Sequence, residues 1–390
     1  MSKNNMVPSI RFKEFTNAWE QERLGNLLNY IRPDNFYTRY DEIPESGKNP
    51  VLTANKSFIL GYSNETNTFD KECIIFDDFT QDFKYVNFPF LVKSSAIKIL
   101  INKNTMFDVY SLFLIMLSVK LENFGHARHY INFVQNKNII LCGFHEMKRI
   151  RAIFKHLNSL ITLHQRKLNA LENLKKTLLE KMFPSENSVF PSIRFKEFTN
   201  AWEQERLGNL LDVSKIKNIS NFFTRSDVFS VSKDFGVINQ IEFLGRSFAG
   251  KHLKNYKILK TGQLVYTKSP LSNNPYGIIK CNNNIDGIVS SLYAVYQPKE
   301  NVNPFFIAHF YSIDYRVNNL LKPLIAKGAK NTMNITDEAI LGAMFRVPLI
   351  NEQNKIAVIF SNIISLITLH QRKLNALENL KKTLLEKMFV

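Results

Sequence analysis

The chain is short of cysteine, of acidic residues and of long apolar runs, and each shortage removes a class of answer. Its three cysteines, Cys73, Cys142 and Cys281, are too isolated for a CxxC metal site or a disulfide framework, so buried or inert thiols are expected. The longest strongly apolar stretch, around Tyr110 to Val119, is far short of the ~20 residues that a spanning helix needs. Met1 to Phe15 holds no apolar signal core, and the expected location is the cytoplasm. Aspartate and glutamate number 34 against 51 lysines and arginines, a formal charge of +17. Such an excess favours a polyanionic partner, and nucleic acid is the commonest one. What is present suffices for packed cores: 390 residues, 45% hydrophobic and 12% aromatic, accommodate two domains of ordinary size.

The sequence is built from internal repeats. Residues Pro8 to Leu28, PSIRFKEFTNAWEQERLGNLL, return unchanged at Pro191 to Leu211, and Ser159 to Phe183 return unchanged at Ser365 to Phe389. Each unit is an opening block, a long middle and a closing block, with Pro184 to Phe190 as the joint. The middles barely match, apart from traces such as Asn35-Phe36-Tyr37-Thr38-Arg39 against Asn221-Phe222-Phe223-Thr224-Arg225. Simple duplication would leave the middles alike too. The frames therefore share a job, and the middles do different ones.

The closing block has no Gly or Pro and carries apolar residues at heptad spacing, which predicts a helix. Ile161, Leu168, Leu171 and Leu178 form a seam broken by His164 and Lys175, and the copy supplies Ile367, Leu374, Leu377 and Leu384. Such a stripe wants a partner helix, and each copy is the natural partner of the other. His164 and His370 read as polar register markers rather than metal ligands. Upstream, Ile150, Phe154 and Leu157 match Ile356, Phe360 and Ile363, extending both helices beyond what a small domain requires. In the middles, short apolar runs such as Glu72-Cys73-Ile74-Ile75-Phe76, Ala96-Ile97-Lys98-Ile99-Leu100 and Gln263-Leu264-Val265-Tyr266 predict strands. Helix is expected near Val109 to Leu121 and Asn303 to Val317.

Three catalytic-looking motifs fail on inspection. Gly245 to Lys251 fits the GxxxxGK skeleton of a phosphate cradle, but His252 stands where Ser or Thr must hold magnesium. Asn273-Asn274-Pro275-Tyr276 is one proline away from an adenine-methylase signature, with no glycine-rich turn to hold S-adenosylmethionine. Glu146-Met147-Lys148 has nuclease E-x-K spacing, yet its counterpart is Glu352-Gln353-Asn354 and no aspartate stands suitably upstream. Basic residues interleaved with aromatics and amides remain: Lys84, Tyr85, Arg128 and His129 in the first middle, and Tyr266, Lys268, Asn274, Tyr276, Lys280 and Lys330 in the second. Lysine and arginine neutralise phosphates, while amides, Arg and aromatic rings can meet base edges.

Together these residues resemble the specificity subunits of type I restriction-modification enzymes. The resemblance rests on Trp19 and Trp202 with Arg23-Leu24-Gly25 and Arg206-Leu207-Gly208, on Leu163 to Leu168 and Leu178 to Phe183, on His126-Ala127-Arg128 and on Glu352 to Ile356, and covers nearly the whole chain. It implies an α+β fold with two mixed target recognition domains, residues 1–155 and 191–358, separated by long helices at 156–183 and 359–390 with a linker at 184–190. It further implies that the helices pair antiparallel as a coiled coil, that the chain has a pseudo-twofold axis, and that each domain reads half of a bipartite, asymmetric site in double-stranded DNA. The implied partners are two modification subunits, which methylate adenine, and two restriction subunits, the ATP-dependent translocases and nucleases. S-adenosylmethionine, ATP and magnesium would belong to those partners, leaving this chain non-catalytic, with no cofactor or metal of its own. Phe144-His145-Glu146-Met147 departs from the family's proline-led helix start. A coiled-coil scaffold without DNA readout would explain the helices, but neither the +17 charge nor the divergent middles.

Overall fold

The computed structural model describes residues 7–390 except 56, 104–105, 122–128, 269, 272 and 328–332. It divides into two compact units, one formed by Met1–Arg166 with Gln371–Val390, the other by Lys167–His370. The division runs through two long helices, Phe144–Lys181 and Ile350–Met388, each of which starts well upstream of its repeated block. Among the described residues no helix is long and apolar enough to cross a membrane.

The first unit is built on a four-stranded antiparallel sheet in the order Leu28–Ile31, Ile97–Asn102, Cys73–Asp77, Phe83–Val86. The second unit repeats that order with Leu211–Val213, Ala294–Pro298, Leu264–Tyr266 and Ile279–Cys281. Middles that share almost no sequence thus make one topology. Both faces of each sheet are covered, which is why the strands read as continuous apolar runs rather than alternating ones. Ile74, Phe76 and Leu100 face one core while Ile75, Ile97 and Ile99 face another. Leu264, Tyr266 and Tyr296 are likewise separated from Val265 and Val295, as the two-residue period of a strand requires. The helices expected in the middles are present at Val109–Ser118, Pro304–Phe310 and Asp314–Leu321.

In each unit the opening block is tied to the start of a long helix. Glu20–Arg23 pairs with Asn138–Leu141, and Glu203–Arg206 pairs with Met344–Val347, the strand that leads into the helix in each case. Arg11 then grips Glu146 through two bonds of 2.7 and 2.8 Å, and Arg194 grips Glu352 at 2.8 and 2.7 Å. Both carboxylates are buried, so the fork geometry of arginine supplies the compensation that a buried charge demands.

The end of the opposite repeat completes each core. In the first unit Phe389 lies 6.2 Å from Trp19 and 6.2 Å from Phe154, and the backbone N–H of Ile10 donates to the Lys387 carbonyl at 2.8 Å. In the second, Phe183 lies 6.0 Å from Trp202, 5.2 Å from Phe306 and 6.0 Å from Phe360, and Ile193 donates to Lys181 at 2.9 Å.

Along the helices the covered positions fall on one stripe. From Ile161 to Met182 the residues that are not exposed are 161, 164, 168, 171, 175, 178, 179 and 182, and the second helix repeats the pattern at 367, 370, 374, 377, 381, 384, 385 and 388. Every seam residue named above lies on it. Burial holds Lys175 and Lys381 below the ordinary lysine range, against the pull of Glu172 and Asp234 on the former and of Glu378 on the latter.

Candidate nucleic-acid interface

Lys84 and Lys280 come from unrelated stretches of sequence, yet the fold gives them one position. Each stands on the edge strand of its sheet, Lys84 opposite Ile75 and Lys280 opposite Val265, and Ile75 and Val265 are themselves equivalent because they pair with Ile99 and Val295. Both lysines are half-buried.

Around Lys280 the charges are mixed, Lys175 and Lys233 against Asp234 and Asp314. Burial, then the proximity of Lys175, bring its pKa down to about 8, with Lys233 adding to the repulsion and Asp234 and Asp314 opposing it. Lys233 is held by Asp314 at 2.7 Å. His309, buried with its ring 5.2 Å from Phe360, is lowered to about 3 by burial and then by Lys175 and Lys280. It is therefore neutral at working pH, and its Nε2 has no hydrogen-bond partner among the described residues.

Tyr85, next along the strand and therefore on the opposite face from Lys84, sits in an aromatic cluster. The Tyr85 ring lies 5.0 Å from Tyr110 and 5.9 Å from Phe113, its hydroxyl donates to the Glu72 carboxylate, and Lys155 sits 5.4 Å from the Tyr110 ring. Burial and the Glu72 bond push the Tyr85 hydroxyl up, so it stays protonated.

The other flagged residues are placed differently. His129 is completely buried, its Nδ1 2.8 Å from the Asp78 carbonyl. Asp78 accepts from the Tyr130 N–H at 2.8 Å and lies 3.6 Å from Lys98. This buried Asp–Lys pair escaped the sequence reading, although a lysine inside the apolar run Ala96 to Leu100 signals a buried anion. Tyr266 is also fully buried and donates to the Tyr276 carbonyl at 2.6 Å. Lys268 donates to Asp337 at 3.1 Å and to the Ile335 carbonyl at 3.0 Å. Its φ is 49°, and Gly277, at a φ of 92°, closes a turn by donating its N–H to the Asn274 carbonyl at 3.0 Å, where a Cβ would meet the Tyr266 ring at 2.9 Å. Asn274 is buried with neither side-chain atom hydrogen-bonded among the described residues, and Tyr276 is half-buried. Arg128 and Lys330 lie outside the described residues.

The dismissed motifs have structural roles. Gly245 to Lys251 follows the short helix Gln240–Leu244 and leads into no helix, so it lacks the helix N-terminus of a phosphate cradle. Glu146 is spent on Arg11. Among the described residues no group of three His, Cys, Asp or Glu side chains could hold a metal ion.

Comparison with known proteins adds a family. The family described as "Type I restriction modification DNA specificity domain" matches residues 17–173 and 253–379. The Escherichia coli EcoR124I/EcoR124II specificity subunit is 38% identical over 128 residues, which span 30% of this chain and 31% of that protein. The Methanocaldococcus jannaschii MjaVIII specificity subunit is 21% identical over 392 residues, 94% of this chain and 91% of that one. Among solved structures, the type I restriction-modification S subunit from M. genitalium superposes with a TM-score of 0.66 at 12% identity over 99% of both chains, a likeness of fold.

Proposed function

Because the chain belongs to the type I restriction modification DNA specificity domain family, we propose that each of its two units reads one half of a bipartite site in double-stranded DNA. The observation that supports this most is the pairing of one scaffold with two surfaces: identical frames and identical sheet orders carry middles of different sequence. A common frame suits docking to two copies of one partner, and different middles suit two different half-sites.

In this reading the chain performs no chemistry. Two modification subunits holding S-adenosylmethionine would methylate adenine, and two restriction subunits using ATP and magnesium would translocate and cut. Lys84, Tyr85, Lys268, Tyr276 and Lys280, none of them fully buried, would contribute to the contact surface, together with Arg128 and Lys330. His129, Tyr266 and Asn274 would hold that surface from behind.

The test is to replace residues 29–143, which lie between the opening block and the first long helix, with the middle of another family member. Reconstituted with its modification partner, the chimera should methylate a site altered in one half only. Alteration of both halves, or of neither, would refute the assignment of one unit to one half-site.

A further inference from the structure

On the reading that the second unit binds duplex DNA, we propose that its Asn218–Phe223 loop is an apolar wedge whose Phe222 enters the stack at a base step of the half-site. Phe222 is 78% exposed and Ile219 71%, with Ile216 beside them at 52%. Single exposed apolar residues are ordinary, but three within seven positions of one loop are not, and this loop is built to present them.

Its rigidity comes from Asn218, which is completely buried. The Asn218 amide donates to the Phe223 carbonyl at 2.9 Å, and its oxygen accepts from the Phe223 N–H at 3.1 Å, closing the turn on itself. Asn221, at a φ of 53°, takes the left-handed conformation that asparagine tolerates best after glycine. Backbone bonds from Asn218 to Tyr256 and from Ile258 to Ile216, both 3.0 Å, fasten the base of the loop to the neighbouring strand. Phe222 leans edge-on against Phe223 at 5.0 Å. A loop ordered before binding loses little entropy on binding.

The charge around it selects the occupant. The stretch Lys215 to Arg225 contains Lys215, Lys217 and Arg225, all exposed, and no acidic residue. Lys257 stands opposite Lys217 across a β-bridge. Cations on both flanks of exposed apolar side chains match a duplex, where phosphates lie on either side of a base step opened by an inserted side chain. The first unit has a near match in Asn35-Phe36-Tyr37-Thr38-Arg39, with Tyr37 in place of Phe223, but there Phe36 is half-buried and packs 5.2 Å from Phe69. Exposure of Phe222 is therefore not imposed by the motif, and insertion is confined to one half-site.

The experiment uses the full chain and a dye-labelled duplex carrying the site mapped by methylation. The native tryptophans, Trp19 and Trp202, are 2% and 3% exposed, so Phe222→Trp adds a reporter whose emission stacking on a base would quench. Binding is expected to quench it. Phe222→Ala should weaken binding roughly 5- to 150-fold without changing the salt slope, whereas Lys217→Ala should reduce that slope by about 1. A bound duplex that leaves the Phe222→Trp emission unchanged overturns the wedge. So does a Phe222→Ala chain that binds duplex normally but no longer assembles with its modification partner, which would assign the loop to a protein surface. Failure of the unsubstituted chain to bind duplex at all would instead refute the DNA-reading proposal on which the wedge rests.

Discussion

Lys280 shows how burial and like charge tune a single side chain. With a pKa of about 8 it is charged below that pH and loses its proton above it. A phosphate alongside would stabilise the ammonium, so binding by the neutral form takes up a proton, and duplex affinity is expected to fall as pH rises from about 7 to about 9. Lys280→Arg, charged throughout that range, should flatten the profile; an unchanged slope in the variant would clear Lys280 of the contact. The sequence made Lys280 a candidate through residue type alone, and residue type placed Tyr266 and His129 beside it although both are core. For Tyr266 the continuous apolar run marks a central strand covered on both faces, Leu264, Val265 and Tyr266 all being core, whereas Lys280 is half-buried on an edge strand. Asn274 carried no such signal, because a turn has no period to read.

At the scale of elements, the long helices and the opening blocks were legible because they recur, and central strands such as Cys73–Asp77 from their apolar runs, but the strand order that the two sheets share was not. Apolar side chains can be exchanged on a covered sheet face as long as volume and alternation are kept, so two sheets of one order retain almost no common sequence. The ion pairs lay in between. Arg11 and Arg194 recur, and so do Glu146 and Glu352, but they are far apart in the chain and only the fold brings them together. Arg11→Ala is expected to cost ~3–5 kcal/mol, since it strands a buried carboxylate. Glu146 would keep one donor, the Trp19 indole at 3.2 Å, whereas the Trp202 indole has no hydrogen-bond partner among the described residues. Arg194→Ala should therefore be the more damaging of the two. Urea unfolding would check this, and equal losses would mean that the Trp19 bond contributes nothing.

At the scale of the whole molecule, what matters is that each long helix begins in one unit and ends in the other, where its last residues fill the core beside the opposite opening block. The repeats announced two units, but the exchange of ends was not legible, since identical blocks fit either core equally well in sequence. Two helices with fixed ends are expected to act as a ruler for the unread base pairs between half-sites. Duplicating Leu171 to Leu174 and the copy Leu377 to Leu380 adds four residues to each helix, about 6 Å at ~1.5 Å per residue. That is close to two base-pair steps of ~3.4 Å. Four residues also make slightly more than one turn, so the covered stripe returns nearly to its own face and the terminal phenylalanines can still reach their cores. Methylation mapped with the modification partner should show unchanged half-sites and a spacer longer by about one or two base pairs. An active complex that keeps the original spacing would show that something other than helix length sets the distance.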